Sequence, residues 1–167
     1  MFSGRRRSGD FHDLIRRQCK TCARSILILS LDIVSSCDLA AQSTIDFLAK
    51  GLMVGIVAAV LSGPPCETFS VARHSDSPGP LPARTQRALW GCNLTTNKIV
   101  RQVTVANSLM LNNLFLLVVA LLHTAAFIME HPAKTLLHQR EHALFGLPPS
   151  IWDTSVMTSL LQHPRSS

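Results

Sequence analysis

Apolar and polar positions along this chain follow two alternating periods. Between residues 9 and 24, Phe11, Leu14, Ile15, Cys19 and Cys22 recur at helical spacing with basic residues between them, which predicts an amphipathic helix. Ser25–Ile33 follows as a nearly unbroken apolar run that closes on an acid, Asp32, the pattern of a buried strand. Ala40–Lys50 predicts a short helix stopped by Gly51, and Gly55–Leu61 a second buried strand. Residues 62–91 are rich in proline, serine and arginine and read as a long loop. A long helix is expected from about Thr95 to Thr124, then a third strand, Ala125–Glu130, closed by His131-Pro132. The tail predicts a helical stretch near Ala133–Phe145, a turn over Gly146–Pro149 and a short helix from Ser150 to Leu161. No internal repeat is evident.

Strands that are apolar throughout and alternate with helices argue a parallel sheet covered on both faces, and 167 residues make one domain, residues 1–167. Ligands of such sheets bind beyond the carboxyl ends of the strands. Asp32, Cys66 and Glu130 all fall at predicted strand ends, so the pattern by itself nominates one rim as a site.

Composition narrows the class. Apolar residues make up 47% and charged residues 16%, which argues against disorder. The net charge of +6 fits a polyanionic partner, and the positive charge is dense near the start, in Arg5-Arg6-Arg7, Arg16-Arg17, Lys20 and Arg24. Arginines follow Met1 closely with no apolar core after them, so no secretory signal is expected and the compartment is read as intracellular and reducing. Cys19-Lys20-Thr21-Cys22 has zinc or redox spacing, but a lone pair without a second pair predicts no metal site. Leu109–Met129 has the length of a bilayer span and no formal charge. Asn112, Asn113 and His123 inside it, and its β-branched, aromatic end at Phe127-Ile128, favour a buried helix followed by a strand, with a membrane span as the alternative.

The densest chemistry lies in Gly63-Pro64-Pro65-Cys66-Glu67-Thr68-Phe69-Ser70. Two prolines form a stiff, extended exit from a strand, and a thiol held there is well placed as a nucleophile. This stretch resembles the catalytic loop of the DNA cytosine-5 methyltransferases, which reads Pro-Cys-Gln followed by Phe-Ser. Three further segments resemble the family in the same order. Phe2-Ser3-Gly4, with Gly9 shortly after, resembles its Phe-x-Gly cofactor loop. Asp32 resembles the acid that holds the cofactor ribose, and Met129-Glu130-His131-Pro132 resembles its Glu-Asn-Val or Glu-Asn-Pro segment. The resemblance implies a three-layer, Rossmann-like parallel sheet of the S-adenosylmethionine-dependent methyltransferase type. It covers most of this chain but only the front catalytic half of the family's domain.

The implied reaction moves a methyl group from S-adenosylmethionine to carbon 5 of cytosine in DNA. Cys66 as thiolate adds at carbon 6 and makes carbon 5 nucleophilic, while Glu130 holds the ring N3 and the exocyclic amine. The base is flipped out of its duplex to be reached. Phe2, Gly4, Asp32 and Pro65 are implied around the cofactor, Arg73, Arg84 and Arg87 at the phosphates, and a nuclear location if the source is eukaryotic.

The chain also departs from the family. Glu67 replaces the glutamine and sets a carboxylate beside the thiol; His131 replaces an asparagine. The interval from Cys66 to Glu130 is long for the family, and the Gln-x-Arg-x-Arg segment and a target-recognition domain are lacking, His138-Gln139-Arg140 following Glu130 too closely. Only Met1-Phe2 stands for the central first strand. The expectation is an incomplete domain, lacking that strand and its C-terminal part, whose activity as a fragment is open. Two rivals accompany it: a non-catalytic nucleic-acid-binding remnant using the basic start, and a small membrane protein built on residues 109–129.

Overall fold

A computed structural model describes residues 8, 10–21, 27–29, 31, 37–69, 82–91, 96–131 and 150–162. In chain order these form α1 (Phe11–Thr21), α2 (Gln42–Met53), β1 (Ala59–Ser62), α3 (Asn97–Leu122), β2 (Ala126–Met129) and α4 (Ser155–Leu161), with 3-10 turns at Glu67–Phe69 and Ile151–Asp153. The class is mixed α/β. β1 and β2 are parallel neighbours, Ala59 opposite Ala126 and Ser62 opposite Met129. Parallel neighbours need a crossover, and here the crossover carries α3.

α3 packs on one face of the sheet and against α2. Ile45, Ala49 and Leu52 of α2 meet Leu116, Val119 and Ala120 of α3, with Val60 and Phe127 of the strands closing the cluster. The alternate strand residues face the other way: Ala59, Ala126 and Ile128 are exposed, Ile128 by 59%. A second cluster, Phe69, Met110, Leu114, Ile151 and Met157, joins the middle of α3 to the Glu67–Phe69 turn and the tail.

Several element ends differ from the sequence reading. α2 runs past Gly51 to Met53 because the glycine is used for space: a Cβ there would stand 2.9 Å from Val57 Cγ2. The left-handed turn comes at Gly55 (φ 74°), where Ile56 N and Val57 N both donate to Gly51 O. β1 therefore starts at Ala59 rather than Gly55. Leu27–Leu29 and Leu31 carry no strand assignment, and Leu27 is 84% exposed. An apolar run becomes a strand only where a neighbour takes up its backbone groups, and the only sheet among the described residues is the β1–β2 pair. The remainder of Ser25–Ile33, and all of Ala133–Phe145 and Gly146–Pro149, lie outside the described residues. The expected Ser150–Leu161 helix is split, since Ser150 caps the 3-10 turn and Thr154, in extended conformation, caps α4.

α3 is long and apolar enough to cross a membrane, by length and composition alone, with a mean hydropathy of 2.0 in its most apolar window. It ends at Leu122, and Ala126–Met129 of the expected 109–129 span is strand. The two adjacent asparagines of that span have partners within the fold. Asn113, buried, accepts from Ser62 Oγ of β1 and donates to Met129 Sδ of β2 at 2.9 Å. Asn112 donates to Leu39 O at 3.0 Å, and His123 is the C-cap residue.

Candidate active site

The parallel pairing brings two chain segments, far apart in sequence, to one rim. Beyond Ser62, β1 leaves the sheet through Gly63, buried Pro64 and half-buried Pro65 and presents Cys66 with its side chain exposed. Neither proline has an N–H to leave unpaired on leaving the ladder, so the exit is stiff without an orphaned donor. Beyond Met129, the Glu130 N–H donates to Ser62 O at 2.8 Å and continues the ladder one step. The Glu130 carboxylate lies over the turn that leads to Cys66: a Cβ on Gly63 would stand 3.4 Å from Glu130 Oε2. Cys66 and Glu130 thus share the carboxyl-terminal rim of adjacent parallel strands.

After Cys66 the chain makes one 3-10 turn, closed by Phe69 N donating to Cys66 O at 2.9 Å. Glu67 reaches α3, where Gln102 Nε2 donates to its Oε2 at 2.7 Å. An open cleft of about 360 Å³ lies between this turn and α3, lined by Pro65, Glu67, Thr68, Arg101, Gln102 and Ala106 among others. His131, buried just after Glu130, stands edge-on between Phe69 (5.1 Å between centroids, 82°) and Trp152 (6.4 Å, 81°). These ring contacts tie the Cys66 turn, the end of β2 and the tail into one unit.

The other sequence-predicted residues fall in three groups. Phe2, Gly4, Asp32 and Arg73 lie outside the described residues, as does Cys22 of the Cys19–Cys22 pair. Arg87 is exposed. Arg84 is turned inward with 0% exposure: its Nε donates to Thr68 Oγ1 at 2.8 Å, and its Nη1 donates to Leu89 O at 2.7 Å. Its guanidinium does not face solvent in this conformation, so it does not stand where a phosphate would meet it. Of the four residues that the resemblance linked to a cofactor, Pro65 is described, at the exit from β1, and Phe2, Gly4 and Asp32 are not. Among the described residues no group of three or more His, Cys, Asp or Glu is placed to hold a metal ion.

Sequence reasoning missed Thr68, Asn113 and Trp152 as parts of this region. Asn113 had a signal, being an amide inside an apolar helix. Thr68 and Trp152 had none, because their importance comes from long-range packing.

Comparison with protein-family models, with curated proteins and with solved structures returns no match.

Proposed function

We propose that this chain is a DNA cytosine-5 methyltransferase-like domain, built on a Rossmann-like sheet of which β1, α3 and β2 are one crossover unit. The observation that carries the reading is the presentation of Cys66. An exposed thiol follows two prolines at the end of one parallel strand, and a carboxylate, Glu130, stands at the end of its neighbour. In this reading the Cys66 thiolate adds to carbon 6 of a flipped-out cytosine, and Glu130 holds its N3 and exocyclic amine. Phe2, Gly4, Asp32 and Pro65 would hold S-adenosylmethionine, which would supply the methyl group when bound. Arg87, exposed, and Arg73 are the loop residues offered to DNA phosphates. The hydrogen bond from Gln102 engages the Glu67 carboxylate, the family departure next to the thiol.

The test is a duplex carrying 5-fluorocytosine, mixed with the full chain and S-adenosylmethionine. A covalent adduct mapped to Cys66, abolished in Cys66→Ala, is the expected result, together with cofactor binding that weakens in Asp32→Ala. A folded sample that forms no adduct and binds no cofactor overturns the reading. DNA binding that weakens with salt and survives Cys66→Ala, with no adduct, would instead favour a non-catalytic nucleic-acid-binding protein.

A further inference from the structure

The segment 82–91 packs against the turn that carries Cys66, and Arg84 is the residue through which it does so. Its directed contacts reach a hydroxyl, a carbonyl and a ring. Its Nε donates to Thr68 Oγ1 at 2.8 Å, its Nη1 donates to Leu89 O at 2.7 Å, and its guanidinium carbon lies 4.2 Å from the centroid of the Phe69 ring. Thr68 and Phe69 are both buried, and they are the last two residues of the turn that closes on the Cys66 carbonyl. Leu89 O is held in place locally, since Thr85 and Ala88 form an antiparallel bridge within the same segment.

A guanidinium is planar and offers its N–H groups in fixed directions, while its faces stack on rings. A single arginine therefore fixes a hydroxyl, a carbonyl and an aromatic ring relative to one another, which neither a lysine nor an aliphatic side chain does. Burying such a group is costly, and an apolar residue would fill the same space at less cost. What the arginine adds is direction.

We infer that Arg84 is a positioning residue: it locks the Cys66–Phe69 turn and so fixes the direction in which the Cys66 thiol leaves the rim. Locking the turn stands on the contacts above; aiming the thiol at a base rests on the proposed function.

The experiment uses the full chain and three variants. Thr68→Val removes the acceptor at nearly constant volume, Thr68→Ser restores a hydroxyl, and Arg84→Lys keeps the charge without the fork. Hydrogen exchange of the Phe69 amide is compared with that of the Ala126 and Glu130 amides, which bond to Ala58 O and Ser62 O in the sheet. The rate of adduct formation on the 5-fluorocytosine duplex is measured beside alkylation of Cys66 by iodoacetamide, a small reagent that needs no aim. Phe69 exchange should rise by about tenfold or more in Thr68→Val and Arg84→Lys and stay near wild type in Thr68→Ser, with Ala126 and Glu130 unchanged. Adduct formation should fall by about tenfold in the same two variants, while alkylation stays within about threefold. Unchanged Phe69 exchange in both variants overturns the inference. So does an equal loss of protection at Phe69, Ala126 and Glu130, which would make the cluster a support of the whole fold. A wild-type chain that forms no adduct refutes the methyltransferase reading and leaves the Phe69 comparison to decide the role of Arg84.

Discussion

The two halves of α3 meet different kinds of neighbour. Toward its C-terminus, Leu116, Val119 and Ala120 enter an aliphatic cluster with α2 and the inner face of the sheet. Toward its N-terminus, beside buried Val103 and Ala106, polar and directed contacts enter: Gln102 to Glu67, and Asn107 Nδ2 to Trp90 O at 2.8 Å. Between them, Met110 and Leu114 pack on Phe69, Ile151 and Met157. One half is held by area removed from water, which is insensitive to direction. The other meets the Cys66 turn through the Gln102–Glu67 hydrogen bond, which depends on angle as much as on distance. The comparison teaches that volume changes should damage the first half and isosteric changes the second.

The largest expected effect lies in the aliphatic half. Leu52, 1% exposed, loses most of its side chain in Leu52→Ala, and unfolding free energy should fall by about 2–5 kcal/mol. Urea denaturation measures it, and a loss below about 1 kcal/mol would mean that this cluster is not the principal core. Asn113 marks the border between the two halves. Asn113→Leu keeps the branched shape but strips the partner from the buried Ser62 hydroxyl, and should cost about 1–3 kcal/mol. The double variant with Ser62→Ala should recover part of that loss; a double variant no better than the single one would show that the bond is not what Asn113 contributes. The smallest effect is a gain. Thr124 joins α3 to β2 at φ 58°, a left-handed conformation that is strained for a β-branched residue. Thr124→Gly should raise stability by about 1 kcal/mol, read as a higher midpoint in the same titration, whereas a decrease would mean that the Thr124 hydroxyl bond to His123 O outweighs the strain.

Much of the architecture was legible from hydrophobic period alone. The expected Thr95–Thr124 helix and Ala125–Glu130 strand correspond to Asn97–Leu122 and Ala126–Met129, because both are long or uniform enough for the pattern to decide. The parallel neighbourhood of the strands that precede Cys66 and Glu130 was legible too, whereas Asp32, expected on the same rim, lies outside the described residues. The limits of α2 and β1 were not, because Gly51 reads as a stop but is used for a close approach of Val57. Ser25–Ile33 shows the complementary limit: its apolar pattern offers a strand, and the described residues Leu27–Leu29 take none. The exposed Cys66 and the prolines before it were conspicuous in the sequence as well. Arg84 was expected at DNA phosphates, because nothing local to it tells that Thr68, Phe69 and Leu89 will surround it.

The ladder between β1 and β2 has only four opposed pairs, Ala59 with Ala126 through Ser62 with Met129. Side chains alternate faces with a period of two, so sliding β2 by a single position would send Phe127 outward and swing Glu130 to the far side of Gly63. A one-residue insertion within Ala126–Met129 should thus carry the Glu130 carboxylate away from the Gly63 turn even if the helices still assemble. Lengthening the chain between Phe69 and Pro82 should leave the strand alignment intact, because it is set by the pairing of β1 with β2 and not by the distance travelled along the backbone.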